Sequence, residues 1–355
     1  MISKKTSFNF LAYHTGPFTH LDHLGVLCIE LGIPLITSDL DAFNLANVIY
    51  PELQIHLIEE QDALSYLAEN CDVLFGCGKY WASQLKEELS LLFGKSIKMV
   101  FCPHGNSDKG RTLSKNGPHP AQDIVLFYGR QMHDLWHKSG LLDSSSSWLY
   151  SGNYRYAHYL KRKEHYDALA APFFEKLSPN RKTIFYAPTW PDKENPTPVL
   201  HSLAPLIDNL ESDFQLLIKL HPLLIEKYPY LQEIHKDTPY VQMASNFAPV
   251  YPLLAKADLY LGDFSSIGYD ALAFDLPLYF LVDELSSLQS SELAQLGPCF
   301  QTNSISDLYQ RIRVSFNDDK RNLKKARQAL YAYAFGDEKK TGNIIEEIKR
   351  ALSPS

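Results

Sequence analysis

Four short segments place reactive side chains directly after apolar, strand-like runs. At 100–111, VFCPHGNSDKGR, the run ends in His104-Gly105, with Lys109 and Arg111 downstream. A histidine there can serve as a general base, and Gly105 allows backbone conformations closed to other residues. The same loop also suits a histidine satisfied by backbone among solvated cations. At 185–190, FYAPTW, a strand-like run meets a stiff Pro188 turn carrying Thr189 and Trp190. The hydroxyl can contact a phosphate, and the indole can wall a cleft or join the core. At 216–222, LLIKLHP, alternation of side chains along a strand puts Lys219 and His221 on one face. The imidazole can donate to a diphosphate oxygen or play a structural part. At 258–280, DLYLGDFSSIGYDALAFDLPLYF, a run ends at Gly262 and Asp263-Phe264-Ser265-Ser266 leads into a helix. Ser265 or Ser266 can cap that helix. Its exposed N–H groups, the hydroxyls and the helix dipole would favour a phosphate. Asp270, one turn on, can accept from ribose hydroxyls; an ordinary capped helix fits the same residues.

These segments need a frame that brings strand ends together. Apolar runs at 8–13, 34–38, 72–77, 97–102 and 124–128 alternate with helical patterns at 21–31, 63–69 and 81–93. A second series follows the polar SPNR segment, with runs at 183–187, 215–220, 240–243, 258–262 and 278–282. Such alternation predicts α/β architecture with parallel sheets and right-handed crossovers. Two series of this length fit two Rossmann-like domains, each with its ligand edge at the carboxyl ends of the strands. The expected boundaries are 1–154, 155–335 and a C-terminal helix at 336–355 packing back on the N-terminal domain. A charged helix over 155–177 is expected to bridge the halves, and two helices separated near Gly336 are expected in 320–352. Ser144–Ser147 reads as a loop.

Composition narrows the function class. The chain has 355 residues, with 45% hydrophobic, 21% charged and a net charge of −7, which suits a folded protein and disfavours broad capture of nucleic acid or anionic lipid. Five cysteines without CxxC spacing read as buried thiols of a reducing compartment. With no signal peptide or membrane-length apolar run, the expected location is cytoplasmic. Asp39-Leu40-Asp41 is too short a pattern to define a metal site. His133 and His137, one helical turn apart in HDLWH, lack the glutamate placement of a zinc protease. P-loop, GxGxxG and GxSxG patterns are missing.

The four segments together, in order and spacing, resemble the CDP-glycerol glycerophosphotransferase family, the primases and polymerases of wall teichoic acid. The matching residues are His104-Gly105 with Lys109, Tyr186–Trp190, His221-Pro222 and Asp263–Ser266, within roughly residues 97–345; Gly336-Asp337-Glu338 resembles the family's terminal segment. The resemblance implies a GT-B-like fold, two Rossmann-like domains whose parallel sheets face a central cleft. It implies transfer of a glycerol phosphate, or a similar polyol phosphate, from a CDP-linked donor to an acceptor hydroxyl, with release of CMP. On that reading His104 and His221 are catalytic. Lys109, Thr189, Lys219, Asp263, Ser265, Ser266 and Asp270 bind the donor and its phosphates, with His221, Ser265 and Ser266 on the diphosphate. No metal and no cofactor are expected. The acceptor would be an envelope glycan or a lipid-linked species, and membrane association at most peripheral, at the inner face. Pro191 stands where the family commonly has an arginine after the tryptophan. A GT-B glycosyltransferase or sugar-nucleotide epimerase, and a non-catalytic nucleotide-binding protein of the same fold, stay open as alternatives.

Overall fold

The computed structural model describes residues 8–78, 81–106, 122–142, 146–190, 198–234, 238–263, 265–284, 291–336 and 344–352. The chain divides into two compact units. Of the described residues, the first holds those up to His104, those of 122–158, and Phe335, Gly336 and Ile344–Leu352. The second holds Gly105, Asn106 and Tyr159–Ala334.

The first unit is built on a seven-stranded sheet. Its strands are β1 (Phe10–His14), β2 (Leu35–Thr37), β3 (Ile55–Leu57), β4 (Val73–Gly76), β5 (Lys98–Phe101), β6 (Ile124–Phe127) and β7 (Ser147–Tyr150). They lie in the order β3-β2-β1-β4-β5-β6-β7, all parallel. Among the described residues, α1 (Leu21–Leu31), α2 (Leu40–Ile49), α3 (Ala63–Asn70) and α4 (Trp81–Phe93) connect the first five strands, and α5 (Arg130–Lys138) lies between β6 and β7. The inner strands read VLFG and IVLF because both faces of a parallel sheet are covered, so every position is buried. Leu11, Ile36, Leu67, Leu74, Leu85, Leu89 and Met99 form one side of this core. Asp39 caps α2 by accepting from Asp41 N and Ala42 N, which gives the Asp39-Leu40-Asp41 string a structural role.

The second unit repeats the plan with six strands. These are β8 (Lys182–Ala187), β9 (Phe214–Ile218), β10 (Val241–Met243), β11 (Leu259–Gly262), β12 (Leu278–Val282) and β13 (Cys299–Gln301), in the parallel order β10-β9-β8-β11-β12-β13. The order of both sheets reverses once, between β1 and β4 and between β8 and β11. That is the doubly wound arrangement, whose ligand crevice lies beyond the strand ends at the reversal. Ile184, Leu203, Leu216, Ile218, Leu261, Leu281, Leu308 and Ile312 fill one face of the sheet.

Between the sheets in sequence, the single helix expected over 155–177 is two: α6 (Tyr154–Lys161) and α7 (Lys163–Ala170), followed by a 3-10 turn at Ala171–Phe173. Arg162 leaves helical geometry with φ −119 and ψ 26, and Pro172 ends the run. Further along come α8 (Val199–Asp208), α9 (Pro222–Lys227), α10 (Tyr251–Leu254), α11 (Ile267–Ala271), α12 (Ile305–Asn322), α13 (Lys324–Phe335) and α14 (Ile344–Leu352). Ser147, expected in a loop, opens β7. Three strands had no sequence expectation, β3, β7 and β13, and each is a sheet edge. All five cysteines are free, and four are buried. No helix among the described residues is long and apolar enough to cross a membrane.

One buried ion pair anchors the first unit. Arg155 Nε donates to Asp22 Oδ2 at 3.1 Å, its Nη2 bonds the same oxygen, and Tyr50 Oη donates to Asp22 Oδ1 at 3.1 Å. Both ends are nearly inaccessible, at 4% and 5% exposure. Removing one partner leaves an unpaired buried charge, which typically costs about 3–5 kcal/mol. Arg155→Met is therefore expected to lower unfolding free energy by about that amount in chemical denaturation. A loss below about 1 kcal/mol would show that the pair is not an anchor.

Candidate active site

In the second unit, β8 and β11 are neighbours, and Ala187 pairs with Gly262 at their carboxyl ends. Asp263, the first residue past β11, is buried at 3% exposure. Both its carboxylate oxygens accept the Thr189 N–H at 3.0 Å, and Oδ1 also accepts the Ser265 N–H at 3.1 Å. One carboxylate thus fixes the turns that follow two strands. Tyr260 reinforces it: its hydroxyl donates to Ala187 O at 3.4 Å, and its ring crosses Gly262 so closely that a Cβ there would lie 2.0 Å from Oη. Burial foremost, with the Asp263 charge adding to it, pushes the Tyr186 and Tyr260 phenols up, so both stay neutral donors.

Ser265 is buried and Ser266 half-buried. Ser265 Oγ accepts the Ile267 N–H at 3.4 Å, a long capping bond at the start of α11. The helix has five residues, so its dipole is short and the local N–H and hydroxyl groups matter more. Gly105 packs against this turn with φ +145, and a Cβ on it would lie 2.6 Å from Ser266 Oγ. The glycine expected for backbone freedom is thus also required by close approach.

His221 begins α9 and its Nδ1 accepts the Leu223 N–H at 3.2 Å. The neutral ring therefore carries its proton on Nε2, the tautomer that can donate to a phosphate oxygen. Trp190 lies beside it, ring centroids 6.2 Å apart. Lys219 does not share that face. β9 ends at Ile218, so strand alternation does not extend to His221, and the buried Lys219 ammonium donates to Phe247 O. Asp270 is likewise turned inward: it is 4% exposed and accepts from Tyr251 Oη at 2.8 Å. Helix α11 presents that face to α10. Lys109 and Pro191 lie outside the described residues.

In the first unit, His104 follows β5 and is exposed. It stacks on His20, ring centroids 4.2 Å apart and 26° between planes. His20 closes a 3-10 turn, Phe18–His20, between β1 and α1. Burial, with the nearby His104 and His14 rings, drives its pKa down to about 3, so it is neutral. Behind them, Tyr128 Oη donates to Pro103 O at 3.0 Å and lies 2.5 Å from His23 Nδ1. A phenol has one proton, so His23 Nδ1 donates to it, and the chain His23–Tyr128–Pro103 holds the residue before His104. Burial above all, then the Arg155 charge and the neighbouring His104 and His20 rings, lowers His23 well below 6.5. Sequence reasoning singled out His104 but not His14, His20 or His23. The signal was their density, three histidines within ten residues at the end of the first strand-like run.

The family model described as CDP-Glycerol:Poly(glycerophosphate) glycerophosphotransferase matches residues 159–348. The chain belongs to this glycerophosphotransferase family. The match covers the second unit with its Asp263 turn and His221. Two curated relatives are similar over shorter spans. The teichoic acid glycerol-phosphate primase of Bacillus subtilis (strain 168) is 25% identical over 182 residues, 49% of this chain and 45% of the relative. That of Bacillus spizizenii (strain W23) is 27% identical over 130 residues, 36% of this chain and 32% of the relative. This glycerophosphotransferase-family chain thus matches less than half of the length of either relative. Among solved structures, the wall teichoic acid polymerase TagF superposes with a TM-score of 0.69 at 15% identity, over 96% of this chain and 88% of that one. The S. aureus MnaA–UDP co-structure gives 0.63 at 12% identity, over 98% and 97%. At such identities the likeness establishes the fold, α/β and GT-B-like with two Rossmann-like parallel-sheet units.

The buried neutral histidines make stability depend on pH. With its folded pKa depressed, His23 binds a proton in the unfolded chain but not in the folded one once pH falls below about 6.5. Stability is therefore full above that value and falls as the solution is acidified. Each such group adds up to about 1.4 kcal/mol per pH unit. His23→Asn, which keeps a donor near the Nδ1 position without titrating, is expected to flatten the fall in melting temperature between pH 7 and 5. An unchanged slope would exclude His23 as a source.

Proposed function

We propose that this chain transfers a glycerol-phosphate-like polyol phosphate from a CDP-linked donor to an acceptor hydroxyl, releasing CMP. The first Rossmann-like unit serves the acceptor and the second the donor. The observation that carries the reading is the Asp263 turn. Within the span matched by the family, it holds Thr189, Ser265 and Ser266 rigidly at the point where strand order reverses, where doubly wound sheets take their ligands. A TagF structure soaked with CDPG agrees with a CDP-linked donor in a relative of the same fold.

The chemistry follows from the groups present. The acceptor oxygen attacks the β-phosphorus and its proton passes to His104. The bond from that phosphorus to the bridging oxygen breaks, and CMP leaves with the electron pair. Negative charge grows on the diphosphate oxygens, where fixed donors stabilise it more than they stabilise the ground state. His221 Nε2–H, the Thr189 and Ser266 hydroxyls and the N–H groups of the 265–267 turn are those donors in this reading. Asp263, Lys219 and Asp270 act through the scaffold. The acceptor is an envelope glycan or a lipid-linked species, met by a chain that associates with the membrane surface at most peripherally.

Two measurements test this. Thermal shift with CMP, CDP, UDP and GDP is expected to show selective stabilisation by the cytidine nucleotides; a preference for UDP would move the chain to the sugar-nucleotide enzymes. CMP release from CDP-glycerol is expected to fall by about 10²–10³ in His221→Ala, the usual cost of one transition-state donor. His104→Ala should lose about 10²–10⁴, the usual share of a general base. Wild-type turnover in both variants, or tight nucleotide binding without CMP release by the wild type over a panel of acceptors, would overturn the reading.

A further inference from the structure

The first unit carries a second chemistry-bearing cluster at its own reversal of strand order. Cys77 directly follows β4, His104 follows β5, and His20 ends the turn that follows β1. One ring nitrogen of each histidine and the Cys77 Sγ all lie within 4.8 Å of one another. From the cluster we infer a binding site for a divalent transition-metal ion of the zinc class, held by His20, Cys77 and His104.

Three observations support it. Ligand atoms around tetrahedral zinc stand roughly 3.3–3.8 Å apart, given bonds of about 2.0–2.1 Å to nitrogen and 2.3 Å to sulfur. The cluster is thus within about 1.5 Å of closure, and exposed His104, which stacks on His20, can supply the adjustment by side-chain rotation. His20 is half-buried, and its Nδ1 is shielded from solvent with no hydrogen-bond partner, an uncommon state for a shielded polar atom. The third concerns ligand type. Two imidazoles and one thiolate suit zinc, cobalt or copper, whereas magnesium and calcium prefer oxygen. The set is also distinct from the His133–His137 pair on α5, whose rings pack with Trp148 and Tyr150.

Binding is balanced by one proton: the Cys77 thiol releases it to solvent as its sulfur takes the metal, and both histidines coordinate as neutral rings. Three protein ligands leave the fourth tetrahedral position to water or another small oxygen or nitrogen ligand, the pattern of open rather than closed zinc sites. The site shares His104 with the proposed transfer, and a ring nitrogen that holds the metal cannot also take the acceptor's proton, so the two uses exclude one another; the test therefore reads the metal and not CMP release.

The test is titration of the full-length chain, purified in the presence of chelator and then desalted, with cobalt(II). One equivalent per chain is expected, with the intense visible bands of a four-coordinate site and an ultraviolet thiolate-to-cobalt charge-transfer band. Added zinc should displace both. Cys77→Ser is expected to lose the charge-transfer band, and His20→Gln to weaken binding at least about tenfold, while His137→Ala changes neither. Circular dichroism checks the fold of each variant; if either fails to fold, the wild-type spectrum decides. Weak octahedral bands without thiolate charge transfer, no retained cobalt, or an unaltered spectrum in folded Cys77→Ser would overturn the site.

Discussion

The second unit's site depends on one buried carboxylate. Asp263 sits where β11 ends, beside the end of β8, and accepts backbone N–H groups from the turns that leave both strands. Parallel strands bring their carboxyl ends to one edge, but nothing in the sheet ladder dictates where the chain goes next. A side chain that accepts from residue 189 and residue 265 at once supplies that direction. Tyr260 and Gly262 belong to the same device: the ring must cross the glycine to reach Ala187 O, and no larger residue leaves it room. The rigidity of the turn is thus a property of the strand ends, set before any ligand arrives, which is the condition under which fixed donors are most effective.

The first unit solves the same problem with neutral groups. At or past its strand ends stand His14, His20 and Tyr128, with His23 in the first turn of α1, and burial keeps the histidine rings uncharged. His14 lies between Thr37 Oγ1 and Pro17 O, 3.3 Å from each, so it joins the ends of β1 and β2. His23 and Tyr128 do the same for the Pro103 carbonyl. The Asp22–Arg155 pair beneath them holds α1 to α6, and Tyr154 Oη donates to His23 O at 3.1 Å. His104 therefore stands on a braced edge although its own ring is exposed. The general base proposed at His104 would use that combination: a fixed backbone and a solvent-facing ring.

What the sequence revealed follows from burial. Inner strands such as FQLLI and LYFLV are covered on both faces, so they read as continuous apolar runs and were placed closely. The edge strands Ile55–Leu57, Ser147–Tyr150 and Cys299–Gln301 are three or four residues long and partly exposed, and no such run marks them. Site residues divide in the same way. The candidates His104, Thr189, His221, Asp263, Ser265 and Ser266 stand just past strand ends, where local pattern suffices to place them in the fold. Strand alternation and a place one helical turn past Ser266 assign Lys219 and Asp270 to the donor, yet each has an internal partner, Phe247 O and Tyr251 Oη. His20 and Cys77 could not be grouped with His104 at all. They come from three strand ends separated by dozens of residues, and only the order β1-β4-β5 makes them neighbours.

That last point bears on how function is distributed in a doubly wound chain. A metal motif such as HxxxH is visible in sequence because one helix supplies both ligands. A cluster assembled by sheet order has no spacing signature, since the connecting helices can lengthen or shorten without moving the strand ends. The two kinds of site differ in rigidity as well. Residues sharing a helix move together, whereas residues on separate strand ends keep their distances only if the sheet does. Here the sheet is well held: β1 pairs with β4 and β4 with β5 in continuous register, and Cys102 follows β5 beside Tyr154, their Sγ and Oη 3.7 Å apart. The apolar runs that made the fold legible are thus also what keeps His20, Cys77 and His104 within reach of one another.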